Sequence, residues 1–272
     1  MEKFIDSHAH YNARQYNHDR KNLLEDLRTD LKYIINIGTK TNENLQTLQL
    51  VSLYDYIYGM IGFFPCNTWM LEPELCKDAE DNWLILTKQL LNQKIVGVGE
   101  IGLDFHWDSI GEKGKEIKGK KARMIQEKWF RKQIELAKEL SLPISIHSRE
   151  AEVDTLRIMK DYSNITGVVH CFSYGERAAD FFLNKGFYLG IGGTSTYSGN
   201  KELREVIKKA PLEQLLLETD APYLTPQSHR RERNQSDYIK EVIELIAKLK
   251  GISENEVIRI TNQNNEKLFG LQ

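Results

Sequence analysis

The 272-residue chain reads as a single-domain (β/α)8 TIM barrel, and three observations carry that expectation. Short apolar runs of strand length alternate with longer runs of helical period, eight times over. The length suits one such barrel, whose eight strands exceed the six or so of a doubly wound open sheet. No glycine fingerprint for cradling a phosphate follows the first apolar run, which removes the main signature of the open sheet.

Taken in order, residues 3–5 form the first strand and 19–31 the first helix, with Leu23, Leu24, Leu27 and Leu31 on one face. The second strand spans 33–37 and ends at Gly38. A helix over 41–53, opened by a Thr41 cap, leads to a third strand at 56–61. Residues 83–91 make the third helix, and 95–99, with two glycines among β-branched residues, a strand buried on both faces. Strands at 143–146, 167–169, 187–191 and 214–217 follow, with helices at 125–140, 150–162, 176–184 and 201–208 between them. A last helical pair, 237–250 and 253–268, closes the barrel, the second helix opened by Ser253 and Glu256 as a capping box. One stretch breaks the rhythm. Near 108–123 the chain carries Lys113, Lys115, Lys118, Lys120, Lys121 and Arg123 against only Glu112 and Glu116, which reads as a mobile insertion in the domain 1–272.

Composition bounds the function. A formal net charge of -2 gives no global pull toward polyanions, so affinity for nucleic acid has to come from local basic patches or from bound metal. Cys66, Cys76 and Cys171 are odd in number and form no CxxC pair, which points to reduced structural thiols and a cytoplasmic setting. The N-terminus reaches Asp6 too early for a signal peptide, and no apolar run approaches membrane-spanning length. A soluble monomer without membrane contact is the expectation.

Six metal-capable side chains end the apolar runs: His8 and His10, Glu100, His147, His170 and Asp220. Two residues apart in extended chain, His8 and His10 point to one side and are able to chelate one ion. Glu100 lies just past the fourth strand among glycines, and His147 and His170 each end a buried strand. A lone histidine in such a place is ordinarily a core residue, but accidents scatter along strands, whereas these fall at one end. The last strand of a barrel neighbours the first, so Asp220 faces His8 and His10 across the closing seam. Imidazole and carboxylate without thiolate suit Zn, Mn, Mg or Fe in an open catalytic site, with Glu100 free to bridge two ions.

These motifs, from 4–10 through 97–104, 146–151, 170–173 and 218–224 to Arg233-Asn234, resemble the TatD-related metal-dependent deoxyribonucleases of the amidohydrolase-like barrel superfamily. The resemblance covers nearly the whole chain. It implies a DNA exonuclease using two divalent metal ions (Mg, Mn or Zn): His8, His10 and Asp220 holding one, His147 and His170 the other, Glu100 bridging. Asp220 and Glu100 are its catalytic pair, with Asp220 orienting or deprotonating the attacking water. Three departures stand out. Gly62-Phe63-Phe64-Pro65 replaces a pattern with histidine at the third position; Tyr174 replaces a glycine and 230–236 a smaller, Pro-containing stretch; and the lysine-rich insertion is longer than typical of the family.

The insertion follows the fourth strand and the Arg230, Arg231, Arg233 cluster the eighth, so both lie on the catalytic face of the barrel. Arg149, Arg230 and Arg233 are the expected phosphate contacts of a DNA substrate, while the lysine run reads equally as a solvated loop. Trp107, Tyr174 and Tyr197 are candidates for base stacking or for packing. The competing activity is a C-N or ester hydrolase of the same superfamily, which commonly bridges its metals with a modified lysine where this chain has Glu100. A non-catalytic barrel that binds nucleic acid or a protein partner is the third reading.

Overall fold

The computed structural model describes residues 2–111 and 116–271. Its sheet runs β1 (Phe4–Ala9), β2 (Leu31–Gly38), β3 (Ile57–Ile61), β4 (Ile95–Asp104), β5 (Ile144–Arg149), β6 (Gly167–Val169), β7 (Tyr188–Ile191) and β8 (Leu215–Leu217), every neighbouring pair parallel. Between them lie α1 (Arg20–Leu27), α2 (Thr41–Leu53), α3 (Ala79–Gln89), α4 (Gly119–Glu139), α5 (Glu152–Lys160), α6 (Glu176–Asn184) and α7 (Lys201–Lys209), followed by α8 (Ile239–Lys250) and α9 (Glu254–Phe269). The sheet is a nearly closed barrel, as the alternation of runs required. Its seam is joined by the parallel bridge of Ala9 with Ala221, where the Asp220 amide donates to the His8 carbonyl at 2.9 Å and the His10 amide to the Ala221 carbonyl at 2.7 Å.

Apolar side chains on the outer face of the strands pack under the helices, and a second cluster fills the barrel itself. That inner cluster contains Ile5, Ile35, Ile37, Met60, Val168 and Leu216, together with Leu268 and Phe269 from the end of α9 and Leu271 just beyond it. The last helix therefore stops the N-terminal mouth of the barrel. Asn264 Nδ2 ties it down by donating to the carbonyls of Leu212 and Leu215, each at 2.8 Å. With one end filled by apolar groups, the polar strand ends are left to the other.

Several boundaries move. The first helix ends at Leu27 rather than 31, because Leu31 is buried by pairing with Phe4 in the sheet and not by a fourth helical turn. Thr41 is no cap: Lys40 holds the N-cap position of α2, and the Thr41 hydroxyl donates instead to Asn82 Oδ1 at 2.7 Å. Glu100 lies within β4, not past it, since the strand runs on to Asp104 after a register shift between Val98 and Ile101. The lysine-rich stretch is partly regular. Ser109–Ile110 pairs antiparallel with Ile117–Lys118, and α4 already begins at Gly119, so Lys120, Lys121 and Arg123 are helical. Lys113 and Lys115 lie outside the described residues.

Candidate metal centre

Parallel strands of a barrel deliver their C-terminal side chains to one mouth, and six of them meet here. His8 and His10 come from β1 and the residue after it, where a register shift between Asp6 and Ala9 turns both imidazoles to the same centre. Their Nε2 atoms are 3.1 Å apart. Across the seam Asp220 Oδ1 lies 3.2 Å from His10 Nε2, 3.7 Å from His8 Nε2 and 3.6 Å from His170 Nε2. Glu100 faces the same space, its Oε2 3.6 Å from His8 and 3.7 Å from His10, its Oε1 2.6 Å from His147 Nδ1 and 3.9 Å from His170 Nε2. The His8 and His170 rings stack at 3.4 Å.

Two groups of three ligand atoms lie within 4.8 Å of one another: His8, His10 and Asp220, and His8, Glu100 and His170. His147 belongs to neither group. Its two nitrogens are engaged by Glu100 and, at 3.2 Å through Nε2, by Asp104 Oδ2.

The electrostatics describe a site that draws in positive charge. Burial depresses the imidazolium form everywhere here, and with His170 beside it pulls His8 down to about 4, so His8 offers a lone pair at neutral pH. Against the same burial, Glu100 and Asp104 lift His147 to about 9, and Glu218 and Asp220 lift His170 to about 10. Burial alone would raise the two central carboxyls; the imidazolium of His147 instead holds Glu100 well below its ordinary range, and the hydrogen bond from His10 holds Asp220 low. Where carboxylates pull protons onto histidines this strongly, a divalent cation answers the same demand. The donor set of imidazole nitrogen and carboxylate oxygen fits one.

Outer contacts orient the donors, and sequence reading assigned them no role. His10 Nδ1 lies 3.1 Å from the Ile37 carbonyl, which orients the ring with Nε2 toward the centre. Glu218 Oε1 stands 3.1 Å from His170 Nδ1 and accepts the Cys171 amide at 2.6 Å. Asp6 accepts from the Thr219 hydroxyl at 2.6 Å, the Ser236 hydroxyl at 2.5 Å and the Thr219 amide at 3.1 Å, fastening the seam beneath the centre. The sequence signal for Glu218 is its position just after the Leu215–Leu217 run, two residues before Asp220. Asp104 lies four residues beyond Glu100, and only the cross-strand neighbour of β4 reveals its contact.

Around the mouth the arginines divide. Arg149 and Arg230 are exposed, with Arg149 5.9 Å from the Trp107 ring and Arg230 4.3 Å from the Tyr197 ring. Arg233 is engaged elsewhere: its guanidinium grips both oxygens of Asp19, at 2.8 and 2.6 Å, so its charge is already neutralised by a carboxylate. Phe64, at the place of the first departure, sets its ring 4.6 Å from that of His147, edge-on. Tyr174 is tied to Ser148 Oγ at 2.8 Å, and so packs.

The sequence pattern of the family described as TatD related DNase matches residues 5–270. The chain is 36% identical over 270 residues to the uncharacterized metal-dependent hydrolase YabD of Bacillus subtilis (strain 168), covering 97% of this chain and 98% of that protein. It is 30% identical over 271 residues to the uncharacterized metal-dependent hydrolase YcfH of Escherichia coli (strain K12), covering 97% and 95%. Among solved structures it superposes on YJJV, a TatD homolog from Escherichia coli K12, with a TM-score of 0.84 at 27% identity, over 99% of this chain and 98% of that one. A TatD family hydrolase from Entamoeba histolytica shares the fold, with a TM-score of 0.83 at 24% identity, over 100% and 99% of the two chains.

Proposed function

The chain belongs to the TatD related DNase family and is a metal-dependent hydrolase, and from that premise we propose that it hydrolyses DNA phosphodiester bonds from strand ends. The observation that carries the reading is the meeting of four imidazoles and two carboxylates at the one mouth of the barrel that apolar groups leave open. His8, His10 and Asp220 would hold one divalent cation (Mg, Mn or Zn), and His147 and His170 a second, with Glu100 between them. Such cations supply Lewis acidity toward a phosphoryl group and offset the charge on its oxygens. Asp220, kept ionised by His10, is the carboxylate that accepts the proton of the attacking water. Arg149 and Arg230 flank the mouth and meet the phosphates of the strand. In a chain of net charge -2, DNA affinity comes from these local charges and from bound metal.

End-labelled single-stranded DNA, incubated with the purified protein after chelation and again after addition of Mg, Mn or Zn, tests the reading. Cleavage is expected to require metal and to fall by about 10²-fold or more in Asp220→Asn while the melting temperature of the metal-free protein is kept. No cleavage with any of the three metals would sink it, and turnover of amide or carboxylic-ester substrates in parallel wells would favour the C-N or ester alternative.

A further inference from the structure

We propose that Trp107 and Arg149 form a nucleotide subsite on the β4–β5 rim, Trp107 stacking on an unpaired nucleobase while Arg149 holds the adjoining phosphate; this rests on the phosphodiesterase reading above. Trp107 is 65% exposed. That exposure leaves indole surface open to a stacking partner.

The site is built rather than loose. The Phe105 amide donates to the Arg149 carbonyl at 3.0 Å, which ties the two chain segments together at the level of the pair. On either side of Trp107 the backbone is fastened: the His106 amide donates to Asp104 Oδ1 at 3.0 Å, and the Asp108 carbonyl accepts from the Gly119 amide at 2.9 Å. Both segments turn immediately afterwards through left-handed residues, Asp108 at φ 47° and Glu150 at φ 53°, leaving the indole and the guanidinium at the rim. Arg149 forms no ion pair with a carboxylate among the described residues and lies 5.9 Å from the indole ring. It is also two residues past His147 on the same strand, hence on the same side as that imidazole.

An aromatic ring beside a guanidinium that no carboxylate claims among the described residues, one strand pair from the metal centre, matches the chemistry of single-stranded nucleic acid. Every base offers a π-face and every linkage a phosphate, so such a subsite is indifferent to sequence. It rejects a paired base, whose faces are already occupied by its neighbours in the duplex. A preference for unpaired ends is the expected consequence of this geometry.

The experiment compares three substrates, an octathymidylate, an octamer of the same phosphates with abasic tetrahydrofuran units, and a blunt duplex, on the metal-loaded wild type, Trp107→Ala, Trp107→Phe and Arg149→Ala. Trp107→Ala is expected to raise KM for octathymidylate at least tenfold, to change KM for the abasic octamer less than twofold, and to leave kcat for both unaltered; Trp107→Phe restores most of the loss. Arg149→Ala raises KM for both octamers. Binding of octathymidylate to the Asp220→Asn protein should quench tryptophan fluorescence, and Trp107→Phe in that background should remove most of the quenching. Equal effects of Trp107→Ala on the two octamers, or quenching that survives Trp107→Phe, overturn the subsite. Failure of the wild type to cleave any of the three substrates overturns the phosphodiesterase reading instead, and the fluorescence arm then still decides whether Trp107 meets a base.

Discussion

Glu218 shows how a single carboxylate governs the centre without facing it. Its Oε1 stands behind His170, 3.1 Å from Nδ1, and the charge it lends is the largest influence opposing burial in lifting that imidazole to about 10. A histidine held protonated must give up its proton before it can ligate a cation, so metal affinity rises with pH until His147, near 9, and His170, near 10, are deprotonated. Replacing Glu218 with Gln removes the charge but keeps an acceptor for the Cys171 amide. Isothermal titration with Mn should then show affinity reduced by roughly 10–100-fold at high pH, where the lost basicity of His170 dominates, and a pH dependence displaced toward lower pH. An unchanged pH profile would show that Glu218 only supports the backbone.

Among the elements, β4 and the seam between β1 and β8 bear the strain of presenting so many polar groups. Gly102 in β4 has φ 144°, and a Cβ there would lie 1.9 Å from the His147 carbonyl oxygen. Gly102→Ala must therefore part β4 from β5 at the level of the centre; a loss of about 4 kcal/mol or more is expected in urea denaturation, with activity lost even where the chain folds. At the seam, burial lifts Asp6 from 3.8 to about 7 despite its hydrogen bonds from Ser236 and Thr219. A carboxyl raised in this way contributes stability that is fully present below 3.8 and lost as pH rises through about 7. Comparing denaturation midpoints of Asp6→Asn and wild type, the balance should shift in favour of the variant between pH 5 and pH 8. A difference constant over that range would mean that Asp6 does not titrate there.

For the molecule as a whole, the stopper at one end and the charged mouth at the other make the metal a stabilising ligand. The centre draws strands β1, β4, β5 and β6 and the β8 loop together, so cations bound only by the folded state raise the melting temperature by mass action. Chelation should lower it, readdition of Mn should restore it, and Asp220→Asn should blunt the response in differential scanning fluorimetry. Among the described residues no helix is long and apolar enough to cross a membrane.

Much of this was legible in the chain itself because it depends on local pattern. Runs such as Ile95-Val96 and Leu215-Leu216-Leu217 are buried on both faces wherever they sit, so strands and their order are readable from hydrophobic period alone. The six strand-end donors are readable for the same reason: a barrel sends every strand end to one mouth, and position in the run decides the rest. What long-range contact decides was not readable. Leu31 continues the helical stripe of Leu23 and Leu27, yet pairing with Phe4 makes it a strand residue. Arg233 looks like a free cation until Asp19, brought from the other end of the chain, neutralises it. Glu218 and Asp104 acquire meaning only from the histidines that β6 and β5 place against them. Pattern determines which side chains face inward, because it is set by the pitch of each element. The tertiary structure alone decides which charges meet, because Coulomb energy falls with distances that span the whole chain.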